Sequence, residues 1–284
     1  MIVCNWLTVM KCARSYKMLI LPKRLIDILS ESMSLKEAYT QFKNRNLNYA
    51  LKLLDELITQ DPNLKEAYSL KGKILFELGK LQEAYENFQK AEDKIGMAKV
   101  LIAQGLYRDA LTYLDDNSKE SSKLRGLIYL KLENYEKALD EIKTIEDEDP
   151  LVYKIRGISE LKLGRYNDAI IDLSFAIEKY PTDAELYFYR ALAQRGLGNY
   201  KEAESDLEMA INLNPYYAEV YFSLGELKES RGLLQEAVDM YSKTININPL
   251  YRSAYVRRAK SLMKLGREDE AYADIRKANE LDSS

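Results

Sequence analysis

Apolar residues recur along this chain at spacings of three and four. Tyr200, Ala203, Leu207, Ala210 and Ile211 follow one another in steps of 3, 4, 3 and 1, the stripe of an amphipathic α-helix and not the alternation of a strand. A preceding stripe, Tyr187, Ala191, Gln194 and Leu197, ends at Gly198, so the pattern predicts two short helices joined by a tight turn.

The pair then repeats. Ala50, Ala84, Ala110, Ala138, Ala169, Ala203, Ala237 and Ala271 lie at intervals of 34, 26, 28, 31, 34, 34 and 34 residues. Twelve residues before each stands a small one: Ala38, Gly72, Ala98, Gly126, Gly157, Ala191, Gly225 and Ala259. Glycine inside a helix costs about 1 kcal/mol relative to alanine. Four glycines at one phase therefore predict a place where two helices approach closely. A second set, Gly79, Gly105, Gly164, Gly198, Gly232 and Gly266, falls between the stripes and suits the left-handed residue that ends a helix. Glu83, Asp109, Asp168, Glu202, Glu236 and Glu270 precede the anchoring alanines, placing negative charge in a first helical turn, where the dipole favours it. Pro62, Pro150, Pro181, Pro215 and Pro249 close many units, because proline cannot continue a helix.

Tyrosine followed four residues later by glycine or alanine marks the start of these units: Tyr68–Gly72, Tyr153–Gly157, Tyr187–Ala191, Tyr221–Gly225 and Tyr255–Ala259. With the alanine and proline offsets, this pattern resembles the tetratricopeptide repeat. The resemblance covers 31–284 in about eight units, 31–64, 65–90, 91–118, 119–149, 150–183, 184–217, 218–251 and 252–284. It is most specific from Ala184 to Tyr251 and weakest from Ala91 to Asp149. It implies an all-α fold, a right-handed superhelical solenoid of antiparallel helix pairs whose first helices line a concave groove. The implied function is a scaffold or adaptor that binds a peptide or partner protein there. Physics points the same way, since a lone hairpin leaves an apolar face uncovered and neighbours must stack to bury it.

If first helices line a groove, residues at equivalent phases form rows along it. Phe188, Phe222 and Val256 make one apolar row. Arg257, Lys260 and Lys264 share one helix face, as do Glu219, Glu226 and Glu229 in the unit before. The candidate peptide-binding residues are Phe188, Arg195, Phe222, Arg257, Lys260 and Lys264. They suit an apolar side chain over the phenylalanines and an acidic group near Arg257 and Lys260. The lysine-and-two-asparagine set with which some family members hold a C-terminal carboxylate is missing, since the first helices after Pro150 carry no asparagine. Between Ala84 and Ala169 the units lose eight, six and three residues relative to 34. A deletion in a loop is the plain reading, and a bend that shapes the groove is the functional one. Asp149 suits a helix cap with Pro150 in the first turn.

Composition narrows the chemistry. Net charge is −3 with a pI near 5.5, so no global attraction to nucleic acid or anionic lipid is expected. Histidine is absent, removing the commonest neutral-pH base and metal ligand. The two cysteines, Cys4 and Cys12, supply neither a disulfide framework nor a zinc site. No phosphate-binding glycine loop or serine elbow is present, so no catalytic residue, cofactor or metal is expected, and a cytoplasmic location fits. An RNA-binding helical-repeat protein and a self-associating structural assembly factor stay open as alternatives. Residues 1–30 fall outside the period. They suit a cap on the open end of the stack, a membrane-surface helix using Lys11, Arg14, Lys17, Lys23 and Arg24, or a misassigned start before Met18 or Met33. Their ten-residue apolar run is too short to cross a bilayer.

Overall fold

A computed structural model describes residues 23–145 and 149–282, with side chains from residue 33 onward. Among these residues the regular structure is entirely helical and falls into eight pairs. The first three pairs are α1 (Lys23–Lys43) with α2 (Leu47–Gln60), α3 (Lys65–Glu77) with α4 (Leu81–Lys90), and α5 (Lys94–Ala103) with α6 (Tyr107–Leu111). The fourth and fifth are α7 (Lys119–Lys131) with α8 (Tyr135–Ile142) and α9 (Pro150–Lys162) with α10 (Tyr166–Lys179). The last three are α11 (Ala184–Gly196) with α12 (Tyr200–Leu213), α13 (Ala218–Ser230) with α14 (Leu234–Ile247), and α15 (Arg252–Lys264) with α16 (Glu268–Asp282). The chain divides into two compact units after Leu114, so α1–α6 form one solenoid of hairpins and α7–α16 another. The first helix starts at Lys23, ahead of the repeat boundary at 31; of residues 1–30, the segment whose terminal roles the sequence leaves open, 1–22 lie outside the described residues and 23–30 are described as helix backbone only.

Each hairpin is pinned where the small residues stand. A Cβ on Gly72 would lie 2.7 Å from the Phe88 ring, on Gly126 2.8 Å from Ile142, on Gly157 2.7 Å from Leu173, and on Gly225 2.6 Å from Tyr241. Each glycine faces a side chain sixteen residues on, in the second helix of its own pair. This offset is kept in the contracted pairs as well. What the contracted pairs lose is second helix: α4, α6 and α8 have 10, 5 and 8 residues against 14 in α10, α12 and α14. The missing residues are thus chiefly helical turns, and not the loop deletion that the spacing suggests.

The six turn glycines adopt φ between 73° and 79°, the left-handed conformation read from their positions. Arg45 and Glu133 stand at the same place in their own pairs with φ of 63° and 58°, at a cost of roughly 1–2 kcal/mol each. Asp149 caps α9 by accepting from the Leu151 N–H at 2.9 Å, and Pro150 opens that helix, so this proline starts a pair and does not close one.

One residue before the close-approach position runs a ladder of ion pairs. Arg190 donates to both carboxylate oxygens of Asp206 at 2.7 and 2.8 Å, and Arg258 does the same to Asp274. Arg156 pairs with Asp172 and Arg125 with Glu141 at the same sixteen-residue offset. Arg190 and Arg258 also reach back to Ser174 Oγ and Ser242 Oγ in the preceding second helix, tying neighbouring pairs together. Their guanidinium planes lie 5.7 and 5.8 Å from the rings of Tyr187 and Tyr255, and Arg156 lies 5.1 Å from Tyr153. In the seventh pair the two ladder positions are Leu224 and Met240, an apolar solution to the same contact.

Beside the Arg156 rung, Glu160 is buried with Oε2 unpaired among the described residues. Burial first, then the charges of Asp172 and Asp168, push its carboxyl up to about 7, against the pull of Arg156.

Two expectations follow. Asp206→Ala leaves Arg190 without its bidentate partner and destabilises the second unit by about 2–4 kcal/mol. Arg190→Leu combined with Asp206→Met, the seventh pair's own residues, recovers most of that loss in urea denaturation. The Glu160 carboxyl is raised in the fold above its unfolded value near 4.3, so its contribution is full below that value and lost as pH rises through 7. Glu160→Gln should therefore stabilise the protein by about 1–2 kcal/mol at pH 8 and change little at pH 4, read from urea midpoints at both values.

Candidate functional site

First helices of successive pairs pack beside one another in the second unit: α9 against α11, and α13 against α15. Side chains on their shared face therefore meet across pair boundaries. One such meeting is a concavity of about 440 Å³ lined by Arg195 and Tyr200, Glu226 and Glu229, and Arg257 and Lys264.

Glu226 sits at its centre. Arg195 of α11 donates to one carboxylate oxygen at 2.8 Å, and Arg257 of α15 donates to the other at 3.1 Å. One turn further along α13, Glu229 is nearly buried, with 8% of its side chain exposed. Tyr241 OH donates to it at 3.0 Å from behind, while Arg257 at 3.4 Å and Lys260 at 3.5 Å approach from the open side. Burial and that hydrogen bond push the Tyr241 phenol well above its usual range, so it remains a donor at neutral pH. Lys264 is exposed and makes no ion pair among the described residues. Four cations, Arg195, Arg257, Lys260 and Lys264, thus meet two carboxylates, leaving two positive charges in excess (4 − 2).

The structure brings Arg195, Arg257, Lys260 and Lys264 together, but it separates the phenylalanines from each other in role. Phe188 is buried, at 9% exposure, among Ala203, Leu207 and Val220. Its ring stands 5.4 Å from Tyr189 and 5.2 Å from Tyr217. Its place on the open face is therefore corrected: α11 turns it into the seam with α13, where it fills core. Phe222 is half-buried, 5.0 Å from Tyr251 and 5.6 Å from Tyr241. Val256, the third of the row, is 44% exposed. Along the row the apolar surface comes into the open toward α15.

Glu226 and Glu229 are legible in sequence as one helix face, but their engagement of the cations is not. The pairs Arg195–Glu226, Glu226–Arg257 and Glu229–Lys260 each span 31 residues, one turn short of the 34-residue period. That recurring offset between opposite charges is the signal available in the sequence.

Further along the same face, between α7, α9 and α11, lies a second concavity of about 300 Å³. Among the described residues no group of His, Cys, Asp or Glu side chains is arranged to hold a metal ion, and no helix is long and apolar enough to cross a membrane.

Comparison with known proteins follows the helix pairs. The tetratricopeptide repeat pattern matches residues 35–96 and 156–218, and further forms of that repeat match 218–249 and 253–284. The signal recognition particle subunit SRP72 of Dictyostelium discoideum is 31% identical over 111 residues, which cover 37% of this chain and 16% of that protein. The chain thus spans about a sixth of that relative. The crystal structure of MamA superimposes with a TM-score of 0.51 at 27% identity, over 56% of this chain and 94% of MamA. The Cut9–Hcn1 hetero-tetramer of the APC/C gives a TM-score of 0.69 at 17% identity, over 79% of this chain and 48% of that one, a likeness of fold alone.

Proposed function

The chain belongs to the tetratricopeptide repeat family, a family of protein-interaction scaffolds, and on that premise we propose that its second unit holds a linear segment of a partner protein across the first-helix face of α11, α13 and α15. The observation that carries this reading is the excess of cations beside open apolar surface. Two positive charges are not balanced by Glu226 and Glu229, and along the helices Lys260 stands four residues from the exposed Val256 and Glu226 four residues from the half-buried Phe222. A segment with an apolar side chain over Phe222 and Val256 and a carboxylate toward Lys260 and Lys264 satisfies both. The internal pairs set the geometry. With Glu226 and Glu229 fixing Arg257, its guanidinium is preorganised, and the ordering cost on binding is reduced. Lys260 and Lys264 are the cations with donors to spare.

The test keeps Arg257 in place, because reversing its charge beside the buried Glu229 would damage the fold. Lys260→Gln with Lys264→Gln, which removes both charges without setting a carboxylate against Glu229, should weaken capture of native partners about tenfold, equivalent to 1.4 kcal/mol, with the melting temperature unchanged. Capture should also fall as salt rises, since these charges are exposed. Undiminished capture by the double variant overturns the reading. Binding to generic single-stranded RNA with a steep salt dependence would redirect it to nucleic acid.

A further inference from the structure

The 300 Å³ concavity between α7, α9 and α11 differs in kind from the cation cluster. Its floor is aliphatic: Leu127 and Leu130 from α7, with Leu151, Ile155 and Ile158 from α9. The helix register explains why this floor is uncovered. In the next two pairs Phe188 and Phe222 stand at one phase and cover the seam with a ring. The same phase is Lys123 in α7, held by Asp149 at 2.7 Å, and Lys154 in α9, whose ammonium is drawn aside by Asp183 at 2.8 Å and by Glu185. A lysine pulled off the seam leaves the aliphatic surface open, walled by the rings of Tyr135 and Tyr189.

The rim is charged unevenly. Lys131 and Lys162 stand 31 residues apart at equivalent positions of α7 and α9, both exposed and neither in an ion pair among the described residues. Glu185 is already held by Lys154, and Glu133 is the other acid of the lining. With Asp183, which shares Lys154 with Glu185, three cations face three carboxylates, so the rim is balanced in sum, and Lys131 and Lys162 are the cations left without an ion pair among the described residues. Burial, with the charge of Glu185 and a hydrogen bond to it, pushes the Tyr189 phenol up to about 12, so this wall stays neutral at physiological pH. At 300 Å³ the cavity is at the small end of ligand sites, the size for one side chain and its backbone and not for a larger molecule.

We propose that this concavity is an anchor pocket for one aliphatic or aromatic side chain of a partner segment, flanked by carboxylates that pair with Lys131 and Lys162. The inference rests on the reading of the first-helix face as a peptide-holding surface, and it assigns that face a second, apolar contact. Buried apolar area then supplies the affinity, and the lysines select against a basic neighbour.

The probe is a fluorescein-labelled nonapeptide with one central leucine between four acidic residues. It is compared with a form carrying alanine for the leucine and a form carrying lysine for the acids. Against the full chain, the leucine peptide should bind at least about tenfold more tightly than either control. Binding should fall as far in Lys131→Glu with Lys162→Glu, and also in Leu151→Trp, which fills the pocket and keeps the charges; circular dichroism checks that both variants fold. With benzoylphenylalanine in place of the leucine, cross-links should map to residues 127–189. Cross-links at 222–264, with binding indifferent to both variants, overturn the pocket and leave the cation-cluster reading standing. An acidic peptide that binds no better than its lysine form overturns the chemistry assigned to both ends of the face.

Discussion

Everything in this protein depends on how closely the two helices of a hairpin approach. A side chain in the second helix, such as Leu173 or Tyr241, sits on the bare backbone of Gly157 or Gly225, with no room for a Cβ between them. In the first unit Phe88 is gripped twice, because Gly72 of its own pair and Gly96 of the next both face its ring. An alanine at Gly96 would press to 2.3 Å from that ring. Such contacts fix the depth and register of the hairpin, and the sixteen-residue offset that results is the rigid module from which both units are built. The helical cost of each glycine is offset by dispersion across a dry seam.

Once the register is fixed, the positions beside it become predictable in kind. The ladder rungs lie one residue away, where the helices diverge enough for a guanidinium and a carboxylate. Arg190 and Arg258 are held on three sides, by a carboxylate, a serine hydroxyl of the preceding pair and a tyrosine ring. Leu224 and Met240 show that the rung is not required for the stack. A partly buried ion pair and a well-packed apolar pair are close in free energy, since the attraction between charges is offset by their desolvation. The Arg190 and Arg258 rungs also link neighbouring pairs, through the reach to Ser174 and Ser242.

The first-helix face is built by a different offset. Residues that meet across pair boundaries are 31 apart, because adjacent first helices are displaced by about one turn. Charges along this face are consumed unequally. At Lys154 the acids of the next pair take the ammonium almost completely, and an apolar floor is left open. At Arg257 the carboxylates are outnumbered, and the cations stay open. The two concavities thus arise from opposite charges at a fixed offset that are consumed to different extents.

The sequence alone determined the hairpin and its period. The small residues, turn glycines and first-turn acids are local signals, each with a backbone or dipole cause, and the structure places each where its cause requires. Sequence also grouped Arg257, Lys260 and Lys264, because spacing within one helix fixes a shared face. Tertiary structure decided what spacing cannot. Phe188 and Phe222 are equivalent in phase, and each meets the equivalent tyrosine of the next pair, Tyr217 at 5.2 Å and Tyr251 at 5.0 Å, yet one is core and the other half-open; Phe188 has the ring of Tyr189 beside it as well, where Phe222 has Ser223. The contracted pairs lost helical turns and kept the hairpin, since the close approach tolerates no deletion while a helix end does. And two cations of the patch, Arg257 and Lys260, proved to be tied to Glu226 and Glu229, because partners on separate helices are chosen by the stacking of pairs, which no single helix records.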